Sequence, residues 1–235
     1  MKIHIGYDEA MHEASLVCEY SIHKYAKYHL ETYFLKLDEL KQKGYYYRED
    51  DDSASTDFAY SRFLVPFLNN HQGWSMFVDN DFLFVTDVCT LFDYIDRDPQ
   101  ASNKAVYCVK HLPYQPKNET KFWGKVQHSF PRKNWSSLMI FNNSHPATKK
   151  LTPLTIANAT PQWLHRFGWC KDDEIGSIDL KWNWLVGEYN DPTPDIFPRA
   201  YHYTNGGPWN GVHGQTFEKL WLDMYKEMTG LPYIT

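Results

Sequence analysis

Trp74-Ser75-Met76-Phe77-Val78 reads as a buried strand, and it runs without a break into Asp79-Asn80-Asp81 before Phe82-Leu83-Phe84-Val85 resumes the apolar run. Charge at the end of a buried strand constrains this chain more than any other feature, because the carboxylates have to lie at the rim of a sheet. Two carboxylates at i and i+2 can both reach one hard cation while that cation bridges two phosphates. A tight turn, in which Asp and Asn bond their own backbone, accounts for the same triplet without any ligand.

The surrounding segments alternate between strand and helix signals. Residues 2–8 form a short strand ending in a turn, and Ala10, Ala14, Val17, Ser21 and Tyr25 then recur at helical spacing. A strand over 32–37 precedes the polar stretch 41–55, which has little apolar surface to bury and is expected to be a mobile loop. From Thr56 a helix is expected, with Tyr60, Phe63, Leu64, Phe67 and Leu68 on one stripe, Arg62 off it, and Pro66 limiting its regularity. Further strands are expected over 105–109 and 137–141, separated by a Pro- and aromatic-rich loop over 112–134 that should order around a ligand. With 235 residues, no internal repeat and no Gly/Ser linker, this pattern favours one α/β domain with a mixed sheet.

Composition narrows the partners. A formal net charge of −5, with no run of basic residues to track a phosphate backbone, argues against nucleic acid. Cys18, Cys89, Cys108 and Cys170 are far apart and form no CxxC pair, which suits reduced thiols and a cytoplasmic protein. No apolar run approaches the roughly 20 residues needed to span a bilayer. The segment 216–229 has apolar and basic residues that allow weak association with a membrane surface, although a terminal core helix is the simpler expectation.

Tyr60-Ser61-Arg62-Phe63-Leu64-Val65-Pro66-Phe67-Leu68 and Phe77-Val78-Asp79-Asn80-Asp81-Phe82-Leu83-Phe84, followed by Asp87 and Leu91-Phe92, resemble the Y-x-R-x-x-x-P-x-L and L-D-x-D-x-L-V patterns of GT-A glycosyltransferases, particularly those of family 8. The resemblance extends to Tyr7-Asp8 and to His202-Tyr203-Thr204-Asn205-Gly206-Gly207-Pro208-Trp209, so it covers most of the chain. It implies one GT-A, Rossmann-like domain over 1–235, with a mixed, mostly parallel sheet flanked by helices and a nucleotide-sugar site at the carboxyl ends of the strands. The implied activity is transfer of a sugar from a nucleoside diphosphate donor, a UDP-sugar, to a hydroxyl of a glycan or glycosylated acceptor, with retention.

The resemblance also assigns roles. Asp79, Asp81 and His202 match the metal ligands, a set that suits Mn²⁺ and, at lower affinity, Mg²⁺. Tyr7 and Asp8 match contacts to base and ribose, and Asn80 falls within the same donor site; as plain residues, Tyr7 and Asp8 also read as a turn and a helix cap. Arg62 matches the arginine over the donor sugar, against the alternative of a solvated helix face. Asp172-Asp173-Glu174-Ile175 resembles D-Q-D-I-L, which places Asp172 at a sugar hydroxyl and Asp173 opposite the anomeric carbon; an acidic helix start accounts for them equally. Gly206-Gly207-Pro208-Trp209 departs from the family pattern by one residue and lacks its lysine, so phosphate neutralisation would rely on the metal and on glycine N–H groups. Trp135 and Ser137 stand where the pattern has Asn and Gly, and Trp182-Asn183-Trp184 reads as an acceptor floor or as core. The competing classes are a silent carbohydrate- or nucleotide-binding relative and a metal-dependent phosphohydrolase.

Overall fold

Ile3 and Ile5 are fully buried, and they lie in β1 (Lys2–Gly6), which pairs in parallel with both β2 (Glu31–Leu35) and β3 (Trp74–Val78). A computed structural model describes residues 2–49, 54–113, 131–190, 192 and 196–234. With β5 (Val106–Val109), β6 (Leu138–Asn142) and β7 (Ile175–Ile178), these strands make a six-stranded sheet in the order β2-β1-β3-β6-β5-β7. Only β6 runs antiparallel to its neighbours. The other five strands therefore end at one rim, and Asp79 lies on it directly after β3.

A second, three-stranded sheet was not legible in the sequence. It joins β4 (Phe82–Phe84), β8 (Trp184–Leu185) and β9 (Ala200–His202) in the order β4-β9-β8. Its antiparallel register sets Phe82 opposite His202, and Tyr203 N–H donates to the Asp81 carbonyl at 3.0 Å. The ladder thus carries a residue 121 positions away in sequence to the acidic triplet.

The helices are α1 (His12–Tyr25), α2 (Leu37–Gln42), α3 (Val65–Leu68), α4 (Cys89–Asp96), α5 (Pro153–Asn158), α6 (Pro161–His165) and α7 (Glu218–Thr229). The strongly apolar faces are buried: α1 contributes Ala14, Val17, Cys18 and Ile22, and α7 packs on α1 through Trp221 and Met224. The apolar side of α7 is thereby occupied by core, as the simpler reading of 216–229 expects. Among the described residues no helix is long and apolar enough to cross a membrane.

The helix expected from Thr56 does not form. Turns lead into a 3-10 segment, Ser61–Leu64, and only then into the single turn of α3. Phe58, Ala59, Tyr60, Phe63, Leu64 and Val65 are all buried, so the segment is apolar on every side rather than along one stripe, and Pro66 removes a helix donor. Arg62 is consequently carried inside. Residues 41–42 of the polar stretch belong to α2; its tip, 50–53, and the part of the long loop over 114–130 lie outside the described residues.

Candidate active site

At the rim, one ligand atom from each of Asp79, Asp81 and His202 lies within 4.8 Å of the others. The His202 Nε2 is 3.4 Å from Asp81 Oδ1. The orientation of that imidazole follows from a chain of hydrogen bonds. Ser137 Oγ donates to the Asn134 carbonyl at 2.7 Å, so it accepts from Asn183 Nδ2 at 2.8 Å. Asn183 then presents its oxygen to His202 Nδ1 at 2.9 Å, and since that oxygen only accepts, Nδ1 carries the hydrogen.

With Nδ1 bonded to Asn183, it is Nε2 that faces the Asp81 carboxylate. A donor set of two carboxylates and one imidazole suits a divalent ion such as Mn²⁺. Phe82 stacks on the His202 ring at 4.5 Å between centroids and fixes its plane. The residues expected to hold a metal are thus brought together, and the outer-sphere residue that aims the histidine, Asn183, is fully buried.

Arg62 is 6% exposed and pairs with Asp79 at 2.7 Å. Its other donors go to backbone: Nη1 to the Ser136 carbonyl at 2.9 Å and Nε to the Phe58 carbonyl at 3.2 Å. The guanidinium lies over the rings of Phe77 and Phe58, at 4.9 and 5.3 Å. Burial lowers its pKa from the ordinary arginine value, opposed by Asp79 and Asp81. The solvated-face alternative for Arg62 fails; the residue braces one carboxylate of the pair and balances its charge.

The remaining expected donor contacts are placed as follows. Tyr7, just past β1, packs beside Phe34 with the Lys36 ammonium 4.9 Å from its ring centre, and its hydroxyl donates to Glu9 at 2.7 Å. That bond and burial push the phenol pKa up to about 12. Asp8 caps the 3-10 turn Glu9–Met11 by accepting from Ala10 N–H at 3.0 Å and also accepts from Asp57 N–H at 3.2 Å, so the cap role is realised. Asn80 is buried, and its amide nitrogen donates to Ser15 on α1 at 3.0 Å.

The glycine loop is bonded internally. Gly206 has φ +96°, a conformation that favours glycine. Its N–H donates to the Tyr203 carbonyl at 2.7 Å, and Gly207 N–H donates to Asn210 Oδ1 at 2.8 Å. A Cβ on Gly207 would fall 2.3 Å from the Trp209 ring. These glycines let the loop fold on itself; their N–H groups point into it rather than toward a phosphate.

Asp172 and Asp173 are not at this rim. They form a 3-10 turn before β7, and β7 starts with Ile175 level with Val106, hence with Phe141 and Ser75. Ser75 lies four residues short of Asp79, about 13 Å along the strands, and β7 is three strands from β3, about 14 Å across. The Asp173 carbonyl accepts from Lys104 at 2.7 Å at the opposite edge, and Asp172, with its side chain 85% exposed, pairs with Arg132. The resemblance to D-Q-D-I-L does not carry position: the segment here leads straight into a strand, which draws it to the amino-terminal edge.

Sequence reasoning missed the residues that complete the site. Ser137 and Asn183 belong to the chain of bonds that orients His202, and Trp135 donates its indole N–H to the His111 carbonyl at 3.0 Å. Trp182 and Trp184 are core, and Asn183 is the member of that cluster that bonds His202. His111, two residues past β5, is 3% exposed, and Tyr189 holds its Nδ1 at 2.5 Å. Burial, helped by the nearby His202, brings the His111 pKa down to about 3. Buried His, Asn and Tyr at a strand-end rim were the available signal, and only tertiary placement separates them from the other polar residues.

No family model matches the sequence. Protein CDI of Arabidopsis thaliana is 43% identical over 229 residues, spanning 96% of this chain and 86% of that protein. Among solved structures, the glycosyltransferase GlyE of Streptococcus pneumoniae aligns with a TM-score of 0.61 at 14% identity, over 95% of this chain and 59% of its own length. The galactosyltransferase LgtC, solved with donor and acceptor sugar analogues, aligns with a TM-score of 0.58 at 10% identity, over 99% of this chain and 98% of its own. The chain thus spans about three fifths of GlyE and nearly all of LgtC. These likenesses identify the architecture as the GT-A fold of glycosyltransferases.

Proposed function

The chain belongs to the family of Protein CDI, and we propose that it is a metal-dependent glycosyltransferase that moves a sugar from a UDP-linked donor to a hydroxyl of a glycan or glycosylated acceptor with retention. The observation that carries this reading is the Asp79–Asp81–His202 cluster at the strand-end rim of a GT-A fold, with His202 held by Asn183 so that its Nε2 faces Asp81. A bound divalent ion would supply charge neutralisation for a diphosphate leaving group.

The chain's own residues would do the rest by position. Asp79 and Asp81 hold the cation, and Arg62 balances the charge of Asp79 and holds it in place at 2.7 Å. Asn183 keeps His202 in the tautomer that can ligate. Tyr7 and Lys36, stacked beside β1, offer a flat ring and a cation to the base and phosphates at the neighbouring strand end. Nothing in this arrangement supplies a carboxylate nucleophile to the anomeric carbon from Asp173. The retaining outcome would then rest on the leaving diphosphate and the acceptor meeting on one face of the sugar, which requires positioning rather than a protein nucleophile.

A phosphohydrolase would need a free aspartate nucleophile at the strand end, and the pairing of Asp79 with buried Arg62 disfavours that use of it. A binding-only relative is favoured by one observation, the internal bonding of the Gly206 and Gly207 N–H groups. Isothermal titration of the protein with UDP, with and without Mn²⁺, tests the reading. UDP binding should require the metal and be lost in Asp81→Asn; equal affinity in EDTA would overturn it.

A further inference from the structure

Among the described residues, His111 carries a polar atom that nothing engages. Its Nε2 is buried and has no hydrogen-bond partner there, while Nδ1 is held by the Tyr189 hydroxyl at 2.5 Å. Leaving a buried imidazole nitrogen unpaired is unfavourable enough that most such groups find a partner. Here the ring has not turned to find one, because it is fixed on two sides: the Trp135 indole holds the His111 carbonyl, and Tyr189 packs edge-on against Trp184, itself buried. Buried Nδ1 of His4 is also unpaired, but His4 sits within β1, away from the rim. His111 instead follows the carboxyl end of β5, on the rim that bears the Asp79–Asp81–His202 cluster.

We propose that His111, held by Tyr189, is a specificity-determining contact of this site, whose Nε2 exchanges one hydrogen bond with a hydroxyl of the carbohydrate bound beside Asp79, Asp81 and His202. The inference rests on the glycosyltransferase reading and deepens it. A neutral imidazole serves either way: with the Tyr189 hydroxyl donating to Nδ1, Nε2–H donates to the sugar, and with Nδ1–H donating to Tyr189, Nε2 accepts. Tyr189 therefore sets which kind of hydroxyl contact is made, and no bond or charge is transferred. A sugar lacking or inverting that hydroxyl would leave a buried polar atom unpaired, which is how a site built on hydrogen bonds discriminates among close analogues. The hydroxyl belongs either to the donor sugar or to the acceptor, and affinity measurements separate the two.

The test uses the full chain with Mn²⁺, as wild type and as three variants: His111→Phe, His111→Gln and Tyr189→Phe. UDP, UDP-glucose, UDP-galactose, UDP-xylose and UDP-N-acetylglucosamine are titrated by calorimetry, and acceptor KM is measured with a panel of methyl glycosides. His111→Phe should leave UDP affinity unchanged. It should weaken the preferred UDP-sugar about tenfold if the contact is to the donor, or raise acceptor KM about tenfold with donor affinity unchanged if it is to the acceptor. His111→Gln should recover part of the loss, and Tyr189→Phe should change the ranking among epimeric sugars rather than UDP affinity. A folded His111→Phe protein with wild-type sugar affinity and wild-type acceptor KM would overturn the contact, as would an equal loss for UDP and UDP-sugar. Wild-type protein that binds neither UDP nor any UDP-sugar would overturn the transferase reading itself, and this contact with it.

Discussion

Asn183→Leu removes the amide that orients His202 while nearly keeping its volume. Two bonds go, the 2.8 Å contact to Ser137 and the 2.9 Å contact from His202 Nδ1. Ser137 retains its donation to Asn134, so its loss is small, whereas the His202 Nδ1–H is stranded in a fully buried setting. Leaving such a donor unsatisfied costs about 1–3 kcal/mol of stability. The imidazole can relieve this by moving its hydrogen to Nε2, which puts a proton where the metal needs a lone pair. Loss of an outer-sphere partner of this kind lowers metal affinity about 10- to 100-fold, or about 1.4–2.7 kcal/mol. Mn²⁺ titration followed by the electron paramagnetic signal of the free ion reads the affinity, and urea unfolding in EDTA reads the stability separately. Asn183→Asp, which still accepts from Nδ1, should bind Mn²⁺ more tightly than Asn183→Leu. A folded Asn183→Leu protein binding Mn²⁺ within twofold of wild type would refute the assignment of His202 as a ligand aimed by Asn183.

Three further outcomes are expected. Arg62→Met leaves Asp79 without its buried partner and should destabilise the fold by about 3–5 kcal/mol, with Asp79→Asn recovering much of it in the double variant; additive effects in thermal melts would argue against the pair. Asp173→Asn should leave metal binding, UDP binding and turnover unchanged, because Asp173 lies at the opposite edge of the sheet; a large fall in turnover alone would contradict that placement. His4, His111 and His165 are buried, with folded pKa values lowered to about 4, 3 and 3, chiefly by burial. Unfolding lets each take up a proton below its ordinary value near 6.5, so stability is complete above that pH. It should fall on acidification through pH 6 to 4, by about 1 kcal/mol per pH unit for each group. Urea midpoints across this range measure the slope, and His165→Gln should remove about a third of it; an unchanged slope would mean that His165 titrates normally in the fold.

The parts of the fold that sequence made legible are those fixed by local pattern. The strands around 2–6, 74–78, 106–109 and 138–142 follow from short apolar runs, and Asp79 and Asp81 are exposed as a pair by their place after one of them. His202 was found through the residues after it, but its role depends on β9 pairing with β4, a contact across the chain that no local pattern encodes. The helix expected from Thr56 failed because burial on every side of Phe58–Val65 overrides periodicity, and the same burial carries Arg62 inside, where it braces Asp79. Asp172 and Asp173 failed differently: they match a motif in type, yet their position depends on which end of β7 they adjoin. Asn183, Ser137 and His111 were not distinguishable, since a buried Asn or His gains meaning only from what the topology sets beside it.

The central claim is that Asp79, Asp81 and His202 hold a divalent ion that makes a UDP-sugar reactive at this rim. Its most direct measurement is release of UDP from a panel of UDP-sugars, with and without acceptor glycosides, in Mn²⁺ and in EDTA, for wild type and Asp81→Asn. The account predicts UDP release from at least one sugar that requires Mn²⁺, rises with an acceptor and disappears in Asp81→Asn. Release that persists undiminished in EDTA or in Asp81→Asn, or none from any sugar by a protein that binds Mn²⁺, would contradict it.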